Sequence, residues 1–170
     1  MTTLDNRLAE LGITADMVSA CPTPACNDAS DLIDAGEDMF GRSQQMTEAT
    51  CRAWHAMVEA AAEDGIELKL VSAYRSVAYQ CEVIQRKLDE GRCIEDILTV
   101  NAIPGHSEHH SGCAIDLHAG DGPVLEESFD QTPAFAWLSA RASDFDFYLS
   151  YPRNNAKGIA YEPWHWCYRS

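Results

Sequence analysis

One histidine-rich stretch of the sequence has the residue types of a metal site. Pro104–Asp116 holds three histidines and two acids in a segment bracketed by glycines. A further histidine, His165, lies near the end of the chain in the segment 161–166. Imidazole and carboxylate groups are the ligands of catalytic zinc, which takes three protein ligands and keeps one position open. The two segments together therefore predict a zinc site with His165 as its third ligand.

Glu162 lies three residues before His165 and is the candidate general base for a water molecule at the metal. In an ideal strand, residues three apart point to opposite faces, so Glu162 reaches the metal of His165 only where the strand is interrupted. Pro163 supplies that interruption, because it lacks a backbone N–H and restricts the residue before it. A histidine-rich loop without a metal would leave this second acid–histidine pair unexplained.

The residues alone leave open which other histidine is a ligand. His109 lies seven positions before Asp116, and loop-plus-strand spacing lets both side chains converge. His106, His110 and His118 are its rivals. His110 would point away from His109 in any extended geometry, whereas His118 has the same strand parity as Asp116 and is the most serious rival.

Three segments carry a resemblance to a known family. They are Ser107-x-His109-x-x-Gly112-x-Ala114-x-Asp116, Glu162-Pro163-Trp164-His165, and Tyr74-Arg75-Ser76 with Gln80. In this order they resemble the VanY-type D-alanyl-D-alanine carboxypeptidases, which are zinc peptidases of the LAS group, over roughly residues 46–168. The resemblance implies an α+β fold with a small central antiparallel sheet flanked by helices, the LAS or hedgehog-like architecture.

The resemblance also implies the metal centre. It selects His109 over its rivals, so that His109, Asp116 and His165 would hold one Zn²⁺ per chain. Glu162 would be the catalytic base.

The remaining matched residues are implied substrate contacts. Arg75 would either stabilise the oxyanion of the reaction or hold a substrate carboxylate, and the sequence does not separate these roles. Ser107 and Gln80 would bind the terminal carboxylate.

The implied activity is zinc-dependent removal of the terminal D-Ala from peptidoglycan stem peptides. D,D-dipeptidase, L,D-carboxypeptidase or endopeptidase activity are alternatives within the same group. A peptidoglycan-binding module without catalysis would have lost the base or the arginine, and both are present.

Composition excludes several other classes of protein. The 170 residues are 46% hydrophobic and 23% charged, as in a globular protein, and 27 acids against 12 bases give a net charge of −15. A nucleic-acid-binding protein would have the opposite sign of charge, and an anionic membrane surface would repel this one. A monomer is the default expectation.

The chain is expected to be one catalytic domain over residues 1–170, with residues 1–45 as an N-terminal helical or irregular extension. No signal-peptide pattern opens the sequence and no window has the length of a membrane span, so we expect a cytoplasmic location as written. A processed form of an exported protein would instead lie in the periplasm or cell envelope. The seven cysteines are an odd number, so at least one is free or pairs between chains, and Cys21 and Cys26, which flank two prolines, could close a small loop.

Hydrophobic periodicity predicts the elements that position these residues. Helices are expected over 3–11, 47–64, 77–90 and 93–100 and from Pro133, and strands over 66–73, 113–117, 147–151 and 158–168. Residues 28–40 are interpreted as a loop with a weak helix. In the strand 113–117, Ile115 and Leu117 should face away from Asp116. His55, beside the apolar stripe of the second helix, is expected at the surface.

Overall fold

The computed structural model of the protein describes residues 3–170. Its helices are α1 (Thr3–Glu10), α2 (Ala15–Ser19), α3 (Glu48–Glu63), α4 (Val77–Asp89), α5 (Ile94–Val100) and α6 (Pro133–Arg141). Its strands are β1 (Leu32–Glu37), β2 (Ser43–Thr47), β3 (Lys69–Ser72), β4 (Ala114–His118), β5 (Phe147–Leu149) and β6 (His165–Tyr168). Short 3-10 helices occupy Glu108–Ser111, Glu127–Gln131 and Ala142–Phe145.

The central sheet has four antiparallel strands in the order β3-β4-β6-β5. Its register pairs Asp116 of β4 with His165 of β6, and Asp116 with Ser72 of β3 on the other side. Directly opposed residues of an antiparallel pair have neighbouring side chains on the same face. The sheet therefore brings together two residues that are 49 positions apart in the chain.

One face of the sheet is covered by α3 and α6. The main apolar core joins residues of these helices with inward-facing strand residues: Trp54, Met57, Ala61, Trp137, Leu138, Ile115, Leu117 and Trp166. Ile115 and Leu117 thus face the helices, and Asp116 faces the other way, as the strand pattern predicts. The fold is the α+β architecture expected, with helices flanking small antiparallel sheets.

A second apolar cluster fixes the N-terminal segment to the rest of the chain. It contains Leu8 and Leu11 from α1 and the loop after it, Ile84 from α4 and Ile97 from α5. The segment then passes beside the histidine loop, where Cys26 donates its N–H to the carbonyl of Gly105 and Ala29 donates to that of His110. Residues before position 31 therefore help to hold this loop.

The predicted helix boundaries are confirmed to within a few residues. Thr47, Ser76 and Thr132 each accept a hydrogen bond from a backbone N–H in the first turn of α3, α4 and α6, respectively. Such side chains satisfy donors that a helix start leaves free. His55 is exposed, as expected.

Two predictions of secondary structure are wrong. Residues 28–40 do not form a helix, since Leu32–Glu37 pairs with Ser43–Thr47 as a separate antiparallel hairpin. Ala35 is the one buried residue of this strand, so the alternation that would reveal it is missing from the sequence. Residues 158–164 lie outside the strand expected there, and only His165–Tyr168 is regular.

All seven cysteines are free in the described part of the chain, so the small loop that Cys21 and Cys26 could close is not formed by a disulfide. Cys21 Sγ lies instead 2.9 Å from the hydroxyl of Thr23. None of the helices within residues 3–170 combines the length and apolar character needed to cross a bilayer.

Candidate active site

The three residues expected to bind a metal converge on one point. Asp116 and His165 lie opposite each other on β4 and β6, and His109 enters from the 3-10 helix Glu108–Ser111. One possible ligand atom from each of the three lies within 4.8 Å of the others, and all three side chains are buried. Two imidazoles and one carboxylate at this spacing match the ligand set of a catalytic zinc site.

The loop geometry that presents His109 explains two residues of the sequence motif. Ser107 precedes the 3-10 helix, and its Oγ accepts the N–H of His109 at 3.3 Å. Gly112 ends the helix with φ of 69°, and a Cβ there would lie 2.6 Å from Leu32 Cδ2. Any other residue would therefore be strained in its backbone, and its Cβ would displace Leu32 and crowd the backbone N of Thr47 at 3.3 Å.

Hydrogen bonds orient both histidines toward Asp116. His109 Nδ1 lies 2.6 Å from the carbonyl oxygen of Ala73, so it donates there and leaves Nε2, 3.3 Å from Asp116 Oδ2, as a lone-pair donor. His165 Nε2 lies 3.0 Å from Glu108 Oε2, which leaves Nδ1, 3.0 Å from Asp116 Oδ1, for the metal. Such outer partners fix the tautomer and the ring direction of metal-binding histidines.

The charges around His165 fit a cation. Carboxylate oxygens of Asp116, Glu108 and Glu162 lie 3.0, 3.0 and 3.8 Å from its ring nitrogens. Burial opposes ionisation of Asp116, but His109 and His165 hold its pKa well below the usual range. Burial alone would lower the pKa of His165. Its hydrogen bonds to Asp116 and Glu108 outweigh burial and raise that pKa. A divalent ion would neutralise this excess of acids, so the donor set fits Zn²⁺.

Glu162 lies in a turn and not on a strand, as its predicted role requires. Its carbonyl accepts the N–H of His165, and its own N–H donates to Tyr151. Burial, reinforced by the nearby Asp116 and Glu108, raises the pKa of Glu162 to about 7 despite the opposing His165 and Arg75. A carboxylate with a pKa near neutrality is suited to accept and return a proton.

Arg75, Gln80 and Ser107 line the same cleft, which encloses about 490 Å³. Arg75 Nη1 donates to Gln80 Oε1 at 3.0 Å, and Gln80 Nε2 donates to the carbonyl of Ala102 at 2.9 Å. Both ends of the Gln80 amide are thus engaged, and its evident effect is to orient Arg75. The hydroxyl of Ser107 stays available to donate.

The rival histidines have structural partners instead. His110 lies between the carbonyl of Arg75 and the N–H of Gly105. His118 lies between the carbonyl of Gly122 and the N–H of Gly120. The structure brings neither of them to Asp116.

Sequence reasoning named Glu108 only as an alternative base and missed its support of His165, and it missed Tyr151. The carboxylate of Glu108 accepts hydrogen bonds from Ser150, Lys157 and Arg169 as well as from His165. It therefore orients His165, and these partners keep it ionised and unsuited to carry a proton. Its place within the motif, beside His109, was the available signal. Tyr151 lines the cleft, and its ring centre lies 4.7 Å from that of His165, but no pattern in the sequence indicated it.

Substitution Glu108→Gln should weaken zinc binding about 10–100-fold, the usual cost of losing an outer-shell partner of a ligand. The amide keeps the shape of the side chain but loses the charge that polarises His165. Competition with a chromophoric chelator measures the affinity. Glu48→Gln is the matched control, because Glu48 is also ion-paired, with Arg52 at 2.8 Å, but on the exposed surface. Equal zinc affinity of both variants would remove this role from Glu108.

Comparisons with known proteins agree with this geometry. Residues 43–170 match the family model of VanY, D-alanyl-D-alanine carboxypeptidase. The putative carboxypeptidase YodJ of Bacillus subtilis (strain 168) is 34% identical over 115 residues, which are 64% of this chain and 41% of YodJ. This chain thus spans less than half the length of that relative.

Two solved structures are similar to the whole fold. The LD-carboxypeptidase LdcB, whose structure concerns peptidoglycan recognition, is 31% identical with a TM-score of 0.74, covering 85% of this chain and 71% of its own. A point mutant of the vancomycin-resistance D,D-pentapeptidase VanY, in complex with Zn(II), is 27% identical with a TM-score of 0.65. That match covers 86% of this chain and 82% of the mutant.

Proposed function

This chain belongs to the VanY family of D-alanyl-D-alanine carboxypeptidases, and on that premise we propose that it is a zinc-dependent carboxypeptidase that removes the terminal D-Ala of peptidoglycan stem peptides. The observation that carries the proposal is the buried cluster of His109, Asp116 and His165 with Glu162 beside it. The Zn(II) complex of the similar VanY structure supports zinc as the ion.

Each residue of the cluster has a defined task in amide hydrolysis. His109, Asp116 and His165 would hold the zinc, which lowers the pKa of water and polarises the scissile carbonyl. Glu162 Oε2 accepts a proton from the attacking water as the new C–O bond forms. It then delivers that proton to the amide nitrogen, so that the C–N bond breaks and the D-Ala amine leaves neutral.

We infer that Arg75 stabilises the oxyanion. Its backbone N–H is tied to the carbonyl of His109 at 3.1 Å, and its guanidinium is oriented by Gln80. The remaining N–H groups are free to donate into the cleft, and fixed donors of this kind stabilise charge that develops during reaction.

Substitution Arg75→Lys should lower kcat about 10–100-fold with little change in KM, because lysine keeps the charge but loses the planar fork of donors. Steady-state kinetics of both proteins on one peptide give the two parameters. A raised KM with nearly normal kcat would assign Arg75 to a substrate carboxylate instead. Unchanged kinetics would remove it from the site.

L,D-carboxypeptidase activity is the second candidate, because the LD-carboxypeptidase LdcB has the higher TM-score of the two similar structures. The two activities differ in the residue before the scissile bond and not in the metal chemistry. The same cluster of ligands and base would serve both.

A panel of substrates separates these activities. The protein is incubated with D-Ala-D-Ala, an acyl-tripeptide ending in D-Ala-D-Ala, muramyl-pentapeptide and muramyl-tetrapeptide, with and without a chelator. We expect one D-Ala from the acyl-tripeptide and the pentapeptide, and none after chelation. Release from the tetrapeptide alone would assign L,D activity, and release from the free dipeptide alone would assign dipeptidase activity. Binding without release would identify a non-catalytic module.

A further inference from the structure

The basic residues of the chain are distributed unevenly between ion pairs and the cleft. Within residues 3–170, eight of the twelve lysines and arginines lie within 4.0 Å of a carboxylate oxygen. The four that do not are Arg75, Arg86, Lys87 and Arg92. Arg86 lies over the exposed ring of Tyr79. The other three line the candidate active site.

Such a group is unexpected in this protein. The chain has 27 acids for 12 bases, so a cation without a carboxylate neighbour is the exception. Asp116, Glu126 and Glu162 line the same cleft, yet none of them forms an ion pair with the three cations in the described part of the chain. None of the three cations therefore has an ion-pair partner among the described residues, and Glu90 and Glu162 act on Lys87 only from beyond ion-pair distance.

Lys87 and Arg92 line the part of the cleft that lies toward the C-terminal end of α4 from Gln80. Lys87 is seven residues, or about two helical turns and about 10 Å, further along α4 than Gln80. Its half-buried Nζ donates to Asn101 Oδ1 at 3.1 Å, which leaves two N–H groups free. Arg92 lies in the turn after α4, and its backbone N–H donates to the carbonyl of Lys87. Burial first, and then the charges of Arg92 and Arg75, lower the pKa of Lys87.

We propose that Lys87 and Arg92 form a carboxylate-binding subsite of the cleft, which holds a carboxylate of the substrate peptide. This inference rests on the proposed function. A carboxylate matches two adjacent cationic donors, and charge-assisted hydrogen bonds of this kind are the strong ones. The offset of about 10 Å from Gln80 corresponds to about three residues of extended peptide. A substrate peptide offers two such carboxylates, the C-terminal one and that of an acidic residue a few positions upstream.

Kinetics on a pair of peptides test the subsite and identify the carboxylate. One is an acyl-pentapeptide ending in D-Ala-D-Ala with a free glutamyl carboxylate upstream, and the other is the same peptide with that carboxyl amidated. Lys87→Met and Arg92→Gln remove the charges, and Lys87→Arg restores one. Arg86→Met is the matched control, because Arg86 also lacks a carboxylate partner and lies on α4 but outside the cleft lining.

We expect Lys87→Met to raise KM about 10-fold with little change in kcat, and Arg92→Gln to change KM in the same direction. The rescue variant Lys87→Arg and the control Arg86→Met should keep kinetic parameters close to those of the wild type. An effect confined to the peptide with the free glutamyl carboxylate assigns the subsite to that group. An equal effect on both peptides assigns it to the C-terminal carboxylate.

Calorimetry of peptide binding in a Glu162→Gln background gives a second readout, in which the affinity should fall by the same factor. Wild-type KM and affinity in both Lys87→Met and Arg92→Gln would overturn the subsite while leaving the carboxypeptidase intact. A wild-type protein that cleaves no D-Ala-terminated peptide would instead overturn the proposed function, and the subsite with it.

Discussion

Replacement of Glu162 by glutamine is expected to reduce kcat by about 10²–10⁴-fold while one zinc per chain is retained. The amide has nearly the shape of the carboxylate but cannot accept a proton. Glu162 is not among the predicted metal ligands, and its Oε2 lies 3.8 Å from His165 Nδ1, so its loss leaves the ligand set intact. Release of D-Ala from an acyl-tripeptide, together with the metal content, measures both effects.

A nearly normal rate for Glu162→Gln would move the base elsewhere. Glu108 is the other acid next to His165 that is not a predicted ligand, but its carboxylate is engaged by Ser150, Lys157 and Arg169. Burial disfavours its charge, yet its partners, His165 first, hold the pKa of Glu108 well below its ordinary value. A group held so firmly ionised is a poor proton carrier near neutrality, which is why Glu162 is the base in this account.

Substitution Asp116→Asn is expected to abolish turnover and to weaken zinc binding by more than the roughly 10–100-fold lost with an outer-shell partner. The asparagine keeps the volume of the buried side chain but removes the one negative charge among the three ligands. It also turns one hydrogen-bond acceptor facing His109 and His165 into a donor. Metal content after dialysis and chelator competition give the affinity.

His55→Gln is the control for this variant, because it removes an exposed histidine far from the cluster and should leave zinc content unchanged. Circular dichroism shows whether each variant is folded. If folded Asp116→Asn bound zinc as tightly as wild type, Asp116 would not be a ligand.

The parts of the site that lie on regular elements were predictable from the sequence. The alternation of β4 separated Ile115 and Leu117 from Asp116, and the caps at Ser76 and Thr132 marked the helix starts. The place of Glu162 followed from Pro163, because a proline ends the regularity of a strand. These signals are local, and local chemistry was enough to determine them.

The remaining features depend on contacts between distant segments. The choice of His109 over His118 required the family resemblance, because both histidines suit the spacing, and only the fold shows the two glycine partners of His118. The pairing of Leu32–Glu37 with Ser43–Thr47 was missed because both strands are mostly exposed and neither alternates regularly between apolar and polar residues. A single sequence does not display such partners.

Lys87 and Arg92, the two cations of the proposed subsite, were missed for the same reason. Lys87 resembles a surface lysine near the end of an amphipathic helix, and Arg92 resembles a loop arginine. These two residues stand out only when the ion pairs of the other basic residues are known. Those ion pairs depend on the tertiary structure.

X-ray diffraction at the zinc absorption edge, from crystals of the protein grown with Zn²⁺, shows directly which residues bind the metal. We predict a single anomalous peak in the cleft, bonded to His109 Nε2, Asp116 and His165 Nδ1, with Glu162 beside it but not bound. A peak coordinated by His118 or His110 in place of His109, or no peak between β4 and β6, would contradict the account.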